Sequence, residues 1–225
     1  MRAPVLLFHG LGRTGLSMLP MARALRAAGF EPHVVDYPSR KHAIGPLVDR
    51  VVAPRVDALV DGGAERVHFV THSLGGVLVR AFAAQRADDG RPLPDGSRAV
   101  MLAPPHAGSE VADALADREP YRSVLGPALG ELGTGEASVP RGLGEVRGIE
   151  AGVIAGSRAL VGFGASFGKL FGGPHDGLVS VASAHAPDGL ADEAVVSKTH
   201  ALLMMSPAVI RLTLRFLREG RFAEP

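Results

Sequence analysis

The sequence predicts an α/β fold, with a compact doubly wound sheet that is mostly parallel and has about six strands. Three observations support this prediction. Short apolar runs, typical of strands covered on both faces, alternate along the chain with amphipathic helical segments. Gly29 and Pro38 mark the ends of the first helix and the second strand. The chain of 225 residues can bury a substantial core and fits one domain, residues 1–225.

The first half of the chain contains three predicted strand–helix pairs. We expect strands at 5–8, 33–37 and 67–70, of which the first is a continuous apolar run and the second is closed by Pro38. Apolar residues at helical spacing follow each strand in turn: Met18, Met21, Ala22, Leu25 and Ala28; Leu47, Val51, Val52, Val56 and Leu59; Leu74, Val77, Leu78, Ala81 and Phe82. Pro54 is expected to kink the second helix.

The second half continues the alternation but contains two irregular segments. We expect strands near 99–102, 152–155 and 194–196, and a last helix that begins at Ser206-Pro207. Residues 104–148 are too long for an ordinary connection and are predicted to form a cap or lid over the site. A stripe of aromatic and aliphatic residues is either a packed short helix or the wall of a substrate pocket: Leu160, Val161, Phe163, Phe167, Leu170 and Phe171.

Composition excludes several classes of partner and chemistry. The formal net charge of +1 gives no reason to expect nucleic acid or an anionic membrane surface as a partner. The chain has no cysteine, which excludes disulfides, thiol catalysis and thiolate metal sites. The first strand begins too early for a secretory signal, and the apolar runs are too short to span a bilayer. We therefore expect a cytoplasmic protein, although a signal cleaved earlier would leave no trace. The sequence does not determine the oligomeric state.

The segment Thr71-His72-Ser73-Leu74-Gly75-Gly76, here called the elbow, lies between a predicted strand and a predicted helix. A serine at such a joint occupies a sharp turn that exposes its hydroxyl above the sheet edge. Small flanking residues such as Gly75 let the helix approach the strand closely. The elbow therefore predicts a serine nucleophile at Ser73. Thr71 departs from the G-x-S-x-G pattern, because it stands where that pattern has its first glycine.

The turn after the first strand, residues 9–15, has two interpretations. Gly10, Gly12 and Gly15 spell G-x-G-x-x-G, and Asp36 ends the next strand, as in a dinucleotide-binding fingerprint. This interpretation predicts an NAD(P)-dependent reductase. Tyr37 and Lys41 even have the spacing of a reductase pair, but Pro38 favours an extended Tyr37 and the pair falls in the wrong connection.

The second interpretation of this first turn begins at His9. Acyl transfer needs two backbone N–H groups aimed at the developing oxyanion. In a serine hydrolase one comes from the residue after the nucleophile, here Leu74, and the other from a glycine-rich turn, here from Leu11. Gly10 and Gly12 then shape the turn, and His9 orients it instead of transferring protons.

The rest of the chain favours the hydrolase interpretation, because it supplies an acid and then a histidine after Ser73. Asp176 and His200 both lie on predicted strand–helix connections, where catalytic groups converge. Asp188 and Asp192 are alternative acids that lie nearer to His200 in sequence. The other histidines are expected to be structural or to line a pocket, and no cluster has the spacing of a metal site.

With these residues in place, the chain resembles small bacterial lipases and esterases of the α/β-hydrolase superfamily. The resemblance rests on residues 8–12, the elbow, residues 175–179 and Thr199-His200, and residues 102–110 look like the turn after strand six of these proteins. It implies a minimal α/β-hydrolase fold in which Ser73, Asp176 and His200 form a catalytic triad. It also implies that a residue such as Thr71 is tolerated before the nucleophile.

The sequence thus predicts a serine carboxylic-ester hydrolase, an esterase or lipase that acts through an acyl-enzyme. We expect a small-molecule ester or lipid with an apolar acyl group as substrate, no cofactor and no metal. Two alternatives remain at this point. One is the reductase that uses the turn of Gly10, Gly12 and Gly15. The other is a small-molecule-binding homologue that keeps the hydrolase pocket without turnover.

Overall fold

The computed structural model describes residues 2–159 and 167–223, and it contains one sheet of six strands that all run parallel. The strand order across the sheet is β2-β1-β3-β4-β5-β6. The strands are β1 (Pro4–Phe8), β2 (Glu31–Val35), β3 (His68–His72), β4 (Arg98–Leu102), β5 (Glu150–Gly156) and β6 (Asp192–Val196). The predicted α/β fold class with a doubly wound parallel sheet is therefore confirmed.

Helices connect successive strands, as the alternation along the sequence predicts. The described α-helices are α1 (Leu19–Ala27), α2 (Ile44–Leu47), α3 (Ala53–Asp61), α4 (Leu74–Asp88), α5 (Glu110–Ala116), α6 (Tyr121–Leu125), α7 (Pro127–Glu131), α8 (Val139–Gly142), α9 (Val181–Ala184) and α10 (Pro207–Glu219). Short 3-10 turns occupy Gly15–Met18, Gly168–Leu170 and His200–Met205. Within the described ranges, no helix combines the length and the apolar character needed to cross a membrane.

The two faces of the sheet are covered by different helices. Leu6 and Phe8 of β1 pack in the apolar layer that includes α2, α3 and α4, whereas Val5 and Leu7 pack in the layer that includes α1 and α10. This division follows from the two-residue alternation of side chains along a strand. Burial of each large apolar side chain contributes about 1.5–3 kcal/mol. The two layers together hold the sheet edge that positions the site.

Two predicted elements differ from the structure in their bounds. The second strand ends at Val35 and not at Tyr37, because the Tyr37 ring turns inward and stacks on His9 with 4.1 Å between ring centroids. The predicted kinked helix is divided by a π-helical turn at Val48–Val52. Pro54 lies just after this turn and lacks the N–H that a regular helix would use, which explains the interruption.

The structure describes the first irregular segment in full and the aromatic stripe in part. Residues 104–148 contain the short helices α5 to α8 and lie between β4 and β5. Leu160, Val161 and Phe163 of the aromatic stripe lie outside the described residues. Phe167 and Phe171 are half-buried against the apolar layer of α4, as a packed short helix would be.

The strand order determines where a site can form. The chain leaves β1 toward β2 on one side and then returns to β3 on the other side. The connections after β1 and β3 therefore diverge, and a crevice opens between them at the carboxyl edge of the sheet. The first turn follows β1, and the elbow spans the end of β3 and the start of α4, so the two motifs meet at this crevice.

Candidate active site

Ser73 adopts the strained backbone conformation that the elbow predicts. It lies between β3 and α4 with φ 53° and ψ −120°, a region that residues with a Cβ rarely occupy. Its N–H donates to the Leu102 carbonyl oxygen at 2.9 Å, which ties the turn to the end of β4. The side chain is half-buried at the carboxyl edge of the sheet. The surrounding strands thus hold Ser73 in a conformation that the residue alone disfavours.

Glycines allow the elbow to approach its neighbours closely. A Cβ on Gly75 would lie 2.8 Å from the Phe8 carbonyl oxygen, and one on Gly76 would lie 2.8 Å from the Pro104 Cβ. The same added atom on Gly76 would lie 3.3 Å from Oγ1 of Thr71. Gly76 therefore provides the space that Thr71 needs, which explains how the elbow accommodates a threonine in place of glycine.

Asp176 and His200 form a buried acid–imidazole pair. Nδ1 of His200 lies 2.7 Å from Oδ2 of Asp176, and both side chains are almost fully buried. The other carboxylate oxygen accepts the N–H groups of Leu178 and Val179 at 3.0 and 2.9 Å. Gly156 at the end of β5 makes room for this pair, since a Cβ there would lie 2.7 Å from the Asp176 Cβ. An imidazole held in this way presents Nε2 as a proton acceptor.

His72 connects this pair to the elbow, and the sequence analysis missed it. Its Nε2 lies 3.0 Å from the His200 carbonyl oxygen, and the two imidazole centroids are 4.5 Å apart. The pKa of His72 lies well below its ordinary value chiefly because the ring is buried, and the positive charge of Arg13 lowers it further. His72 is therefore neutral, and its Nε2–H donates to His200. The adjacent Ser73 makes no hydrogen bond to His200 within the described part of the chain.

The first turn contains a backbone N–H group without an acceptor among the described residues. The Arg13 N–H donates to the Gly10 carbonyl oxygen at 3.2 Å, which closes the turn around Leu11. Gly12 has φ +71° and donates its N–H to Oγ of Ser39 at 3.1 Å. Among residues 2–159 and 167–223, no acceptor engages the N–H of Leu11. The N–H of Leu74 is equally unengaged in this part of the chain.

His9 orients the first turn through a fixed set of contacts. Its Nδ1–H donates to the Gly10 carbonyl oxygen at 2.9 Å, and its Nε2 accepts the Tyr37 N–H at 3.3 Å. The Tyr37 hydroxyl in turn donates to the His9 carbonyl oxygen at 2.6 Å. Burial lowers the pKa of His9, so the ring stays neutral and fully enclosed. This arrangement supports the predicted orienting role and leaves no free nitrogen for proton transfer.

The residues on which the dinucleotide interpretation depends are hydrogen-bonded within the protein. Oδ1 of Asp36 accepts the Gly15 N–H at 2.7 Å and lies 3.3 Å from Nε2 of His9. A Cβ on Gly10 would lie 2.8 Å from Nδ1 of His72, so this glycine faces the elbow. The hydroxyl of Tyr37, the first residue of the supposed reductase pair, is bound to the backbone. Gly10 of the glycine turn therefore packs against the elbow, and Asp36 and Tyr37 are already hydrogen-bonded within the protein.

The other candidate acids do not pair with His200 within the described residues, and His106 packs against an arginine. Asp192 begins β6 at the amino edge of the sheet and accepts the N–H of Phe222. Asp188 is exposed before β6. His106 is buried against Arg80, and its pKa lies well below its ordinary value because of burial and this nearby charge. Within the described ranges, no group of histidine and carboxylate side chains is placed to hold a metal ion.

The sequence matches no protein-family model and no curated protein. Solved structures resemble the chain at low identity. Lipase BlEst2 of Bacillus licheniformis superposes with a TM-score of 0.75 and 18% identity over 96% of this chain and 92% of the lipase. A monoacylglycerol lipase of Paleococcus ferrophilus gives a TM-score of 0.57 and 17% identity over 96% and 94% of the two chains.

A third similar structure is larger than this protein. Phospholipase PlaB of Legionella pneumophila gives a TM-score of 0.71 and 17% identity, over 98% of this chain but only 60% of PlaB. A second PlaB structure, in complex with thio-NAD, gives a TM-score of 0.67. These comparisons show that the chain has the α/β-hydrolase fold. The predicted resemblance to lipases and esterases of that superfamily is confirmed at the level of the fold.

Proposed function

We propose that this protein is a serine carboxylic-ester hydrolase that acts through an acyl-enzyme. The observation that carries the proposal is the buried Asp176–His200 pair, 2.7 Å apart, at the same sheet edge as the strained Ser73. The unengaged N–H groups of Leu11 and Leu74 support it, because acyl transfer needs donors for the oxyanion. The fold is shared with solved lipases, and the assignment of the chemistry rests on the residues of the site.

Each of these groups has a role in the acylation half of the reaction. Nε2 of His200 takes the proton of the Ser73 hydroxyl as its oxygen attacks the ester carbonyl carbon. The carbonyl oxygen becomes an oxyanion that the N–H groups of Leu11 and Leu74 stabilise. Asp176 keeps the His200 ring in the correct tautomer and stabilises its protonated form. The C–O bond to the alcohol then breaks, and the alcohol leaves with the proton from His200.

Deacylation repeats the same steps with water. His200 takes a proton from water, whose oxygen attacks the acyl carbonyl on Ser73. The second oxyanion collapses, the acid is released, and the proton returns to Ser73. Within the described residues no hydrogen bond joins the Ser73 hydroxyl to His200, and catalytic hydrogen bonds often tighten only when substrate binds. No cofactor is required by either half of the reaction.

Two other functions give different experimental results. A reductase would bind NADH or NADPH through the first turn and Asp36, and PlaB has been solved with thio-NAD. The bonds of Asp36 to Gly15 and of Tyr37 to His9 argue against that use here. A binding homologue without turnover would keep the pocket but would not acylate Ser73.

Hydrolysis of 4-nitrophenyl butyrate by wild type and by Ser73→Ala tests the proposal. We expect the variant to lose about 10⁴- to 10⁶-fold in kcat, as removal of a triad serine does elsewhere. Calorimetric titration with NADH and NADPH, on wild type and Asp36→Ala, is the matched counter-test. Near-normal turnover by Ser73→Ala contradicts the proposal. Micromolar dinucleotide binding that is lost in Asp36→Ala, without esterase activity, supports the reductase instead.

A further inference from the structure

Arg13 carries a positive charge that the described protein does not neutralise. It follows Gly12 in the first turn and is half-buried, yet it forms no ion pair with any described carboxylate. Its guanidinium also donates no hydrogen bond within the described chain. Burial without a partner lowers the pKa of Arg13 below its ordinary value. A cation in this state gains more from an anionic ligand than a fully solvated one does.

The Arg13 side chain lines a cavity of about 360 Å³ at the carboxyl edge of the sheet. The turn after β2 forms the opposite wall, and Arg40 and Lys41 on that turn are exposed and unpaired within the described residues. Asp36 is the cavity's acidic residue, but its Oδ1 is already bound by the Gly15 N–H. The cavity is therefore lined by three cations and one engaged carboxylate, so its net charge is positive.

The cavity adjoins the first turn, and this turn reaches the elbow at Gly10, where a Cβ would lie 3.1 Å from the Ser73 Cβ. The positive charge of Arg13 contributes to the lowered pKa of His72, the residue just before Ser73, after burial and His200. Gly126, after α6, packs directly on the Arg40 backbone, and Leu125 would contact a Cβ on Gly12 at 3.2 Å. Helix α6 thus closes over the same turn. A larger cavity, about 560 Å³, lies at the amino ends of the strands and does not reach the elbow.

We propose that Arg13, supported by Arg40 and Lys41, binds an anionic group of the substrate. This inference rests on the proposed hydrolase function and names its substrate class as esters that carry a carboxylate or a phosphate. Arginine and lysine recognise both groups by charge-assisted hydrogen bonds. The anionic group occupies the cavity between the first turn and the turn after β2, while the ester carbonyl lies at Ser73.

Two matched substrate pairs test the inference and separate the two anions. The carboxylate pair is mono-(4-nitrophenyl) glutarate against its neutral methyl ester. The phosphate pair is monobutyrylglycerol 3-phosphate against neutral monobutyrylglycerol. We expect wild type to have the higher kcat/KM for the anionic member of at least one pair. In Arg13→Gln that preference, the ratio of the two kcat/KM values, should fall about 10- to 100-fold, as expected on removing a charge-assisted hydrogen bond.

Further variants distinguish charge from shape. Arg13→Lys should retain more of the preference than Arg13→Gln, and the double variant Arg40→Gln/Lys41→Gln should lose a smaller part of it. Arg23→Gln on the exposed face of α1 is the matched control and should keep the wild-type ratio. Added salt should reduce the preference in wild type. The inference is overturned if wild type favours the anionic member of neither pair, or if Arg13→Gln keeps the anionic preference.

A binding measurement separates failure of this inference from failure of the hydrolase proposal. If no ester is hydrolysed and Ser73 is not acylated, the hydrolase proposal fails, and the anion site is tested by calorimetry alone. Inorganic phosphate and glutarate are each titrated into wild type and Arg13→Gln. Binding of either anion that weakens about tenfold or more in Arg13→Gln supports the site. Absent or equal binding in both proteins overturns it.

Discussion

The two sides of Ser73 differ in how completely their polar groups are satisfied. On the β5–β6 side, Asp176 and His200 bind each other, and the remaining carboxylate oxygen is saturated by backbone N–H groups. On the β1–β2 side, the Leu11 N–H and the Arg13 guanidinium have no partner within the described residues. Groups that bind each other, such as Asp176 and His200, fix each other's position. Groups without a partner, such as the Arg13 guanidinium, are available to bind a ligand.

The contrast between Arg80 and Arg13 supports this distinction. Arg80 is almost fully buried, and it donates to the carbonyl oxygens of His106 and Gly144. Burial lowers its pKa to about 10. These bonds tie α4 to both ends of residues 104–148, so the charge of Arg80 has a structural use. Among the described residues Arg13 has no such bonds, and a buried or half-buried charge without partners is costly unless something else binds it.

The largest effect is expected from disrupting the Asp176–His200 pair. Asp176→Asn keeps the shape of the side chain but favours the wrong tautomer of His200, so kcat should fall about 10³- to 10⁴-fold. The free energy of unfolding should change much less than the activity. Initial rates with 4-nitrophenyl butyrate measure this effect. Asp188→Asn and Asp192→Asn are the controls, and a larger loss in either one would mean that the acid has been misassigned.

A smaller effect is expected from distorting the first turn. Gly12 has φ +71°, and a side chain there would meet Leu125, so Gly12→Val should distort the first turn. Loss of one oxyanion donor costs about 3 kcal/mol of activation free energy, which corresponds to about 100-fold in kcat. Leu11→Ala is the matched control, because it leaves the backbone N–H in place and should be mild. Equal activity of the two variants would contradict the assigned oxyanion turn.

His72 contacts both the first turn and His200. Its replacement should have a modest effect on activity. His72→Phe removes the N–H that donates to the His200 carbonyl oxygen at 3.0 Å. One hydrogen bond of this kind is worth about 0.5–1.5 kcal/mol, so kcat should fall about 2- to 10-fold with little change in KM. His33→Phe on β2 serves as the control for histidine loss outside the site. An unchanged kcat, or a loss carried by KM alone, would show that His72 does not position His200.

A separate effect concerns stability and involves a histidine outside the candidate site. Burial, with the nearby charges of Arg98 and Arg66, lowers the pKa of His68 to about 4. Because the unfolded chain protonates first, acidification from about pH 6.5 to 4 should lower the free energy of unfolding by about 3 kcal/mol. His68→Asn, which keeps an acceptor for the Arg98 N–H, should flatten this dependence. Urea titrations across this range check it, and parallel curves for both proteins would contradict it.

Local sequence patterns predict most of the fold and the candidate site. Apolar runs identify all six strands, since parallel strands must be covered on both faces. Asp176 and His200 were predictable because catalytic groups gather on connections after strands, and the structure brings them together. Spacing alone could not choose between Asp176 and Asp192. The choice depends on which end of β6 each residue approaches.

Contacts between distant segments explain what the sequence did not predict. His72 was expected, with the other histidines, to be structural or to line a pocket, and its contact with the carbonyl oxygen of His200, 128 residues away, was not predicted. The role of Arg80 depends on two carbonyl groups more than twenty residues away in the chain. Neither contact leaves a periodic signal, because both depend on how residues 104–148 and the β6 connection pack after folding.

Covalent labelling tests the central claim most directly. A fluorescent phosphonate that mimics the acyl-transfer transition state is incubated with the protein, and the modified residue is mapped by peptide mass spectrometry. We predict a single modification on Ser73, with labelling lost in Ser73→Ala and slowed in Asp176→Asn but not in Asp188→Asn. Absence of labelling in the folded wild type, or modification of another residue, would contradict the proposal that Ser73 is an activated nucleophile.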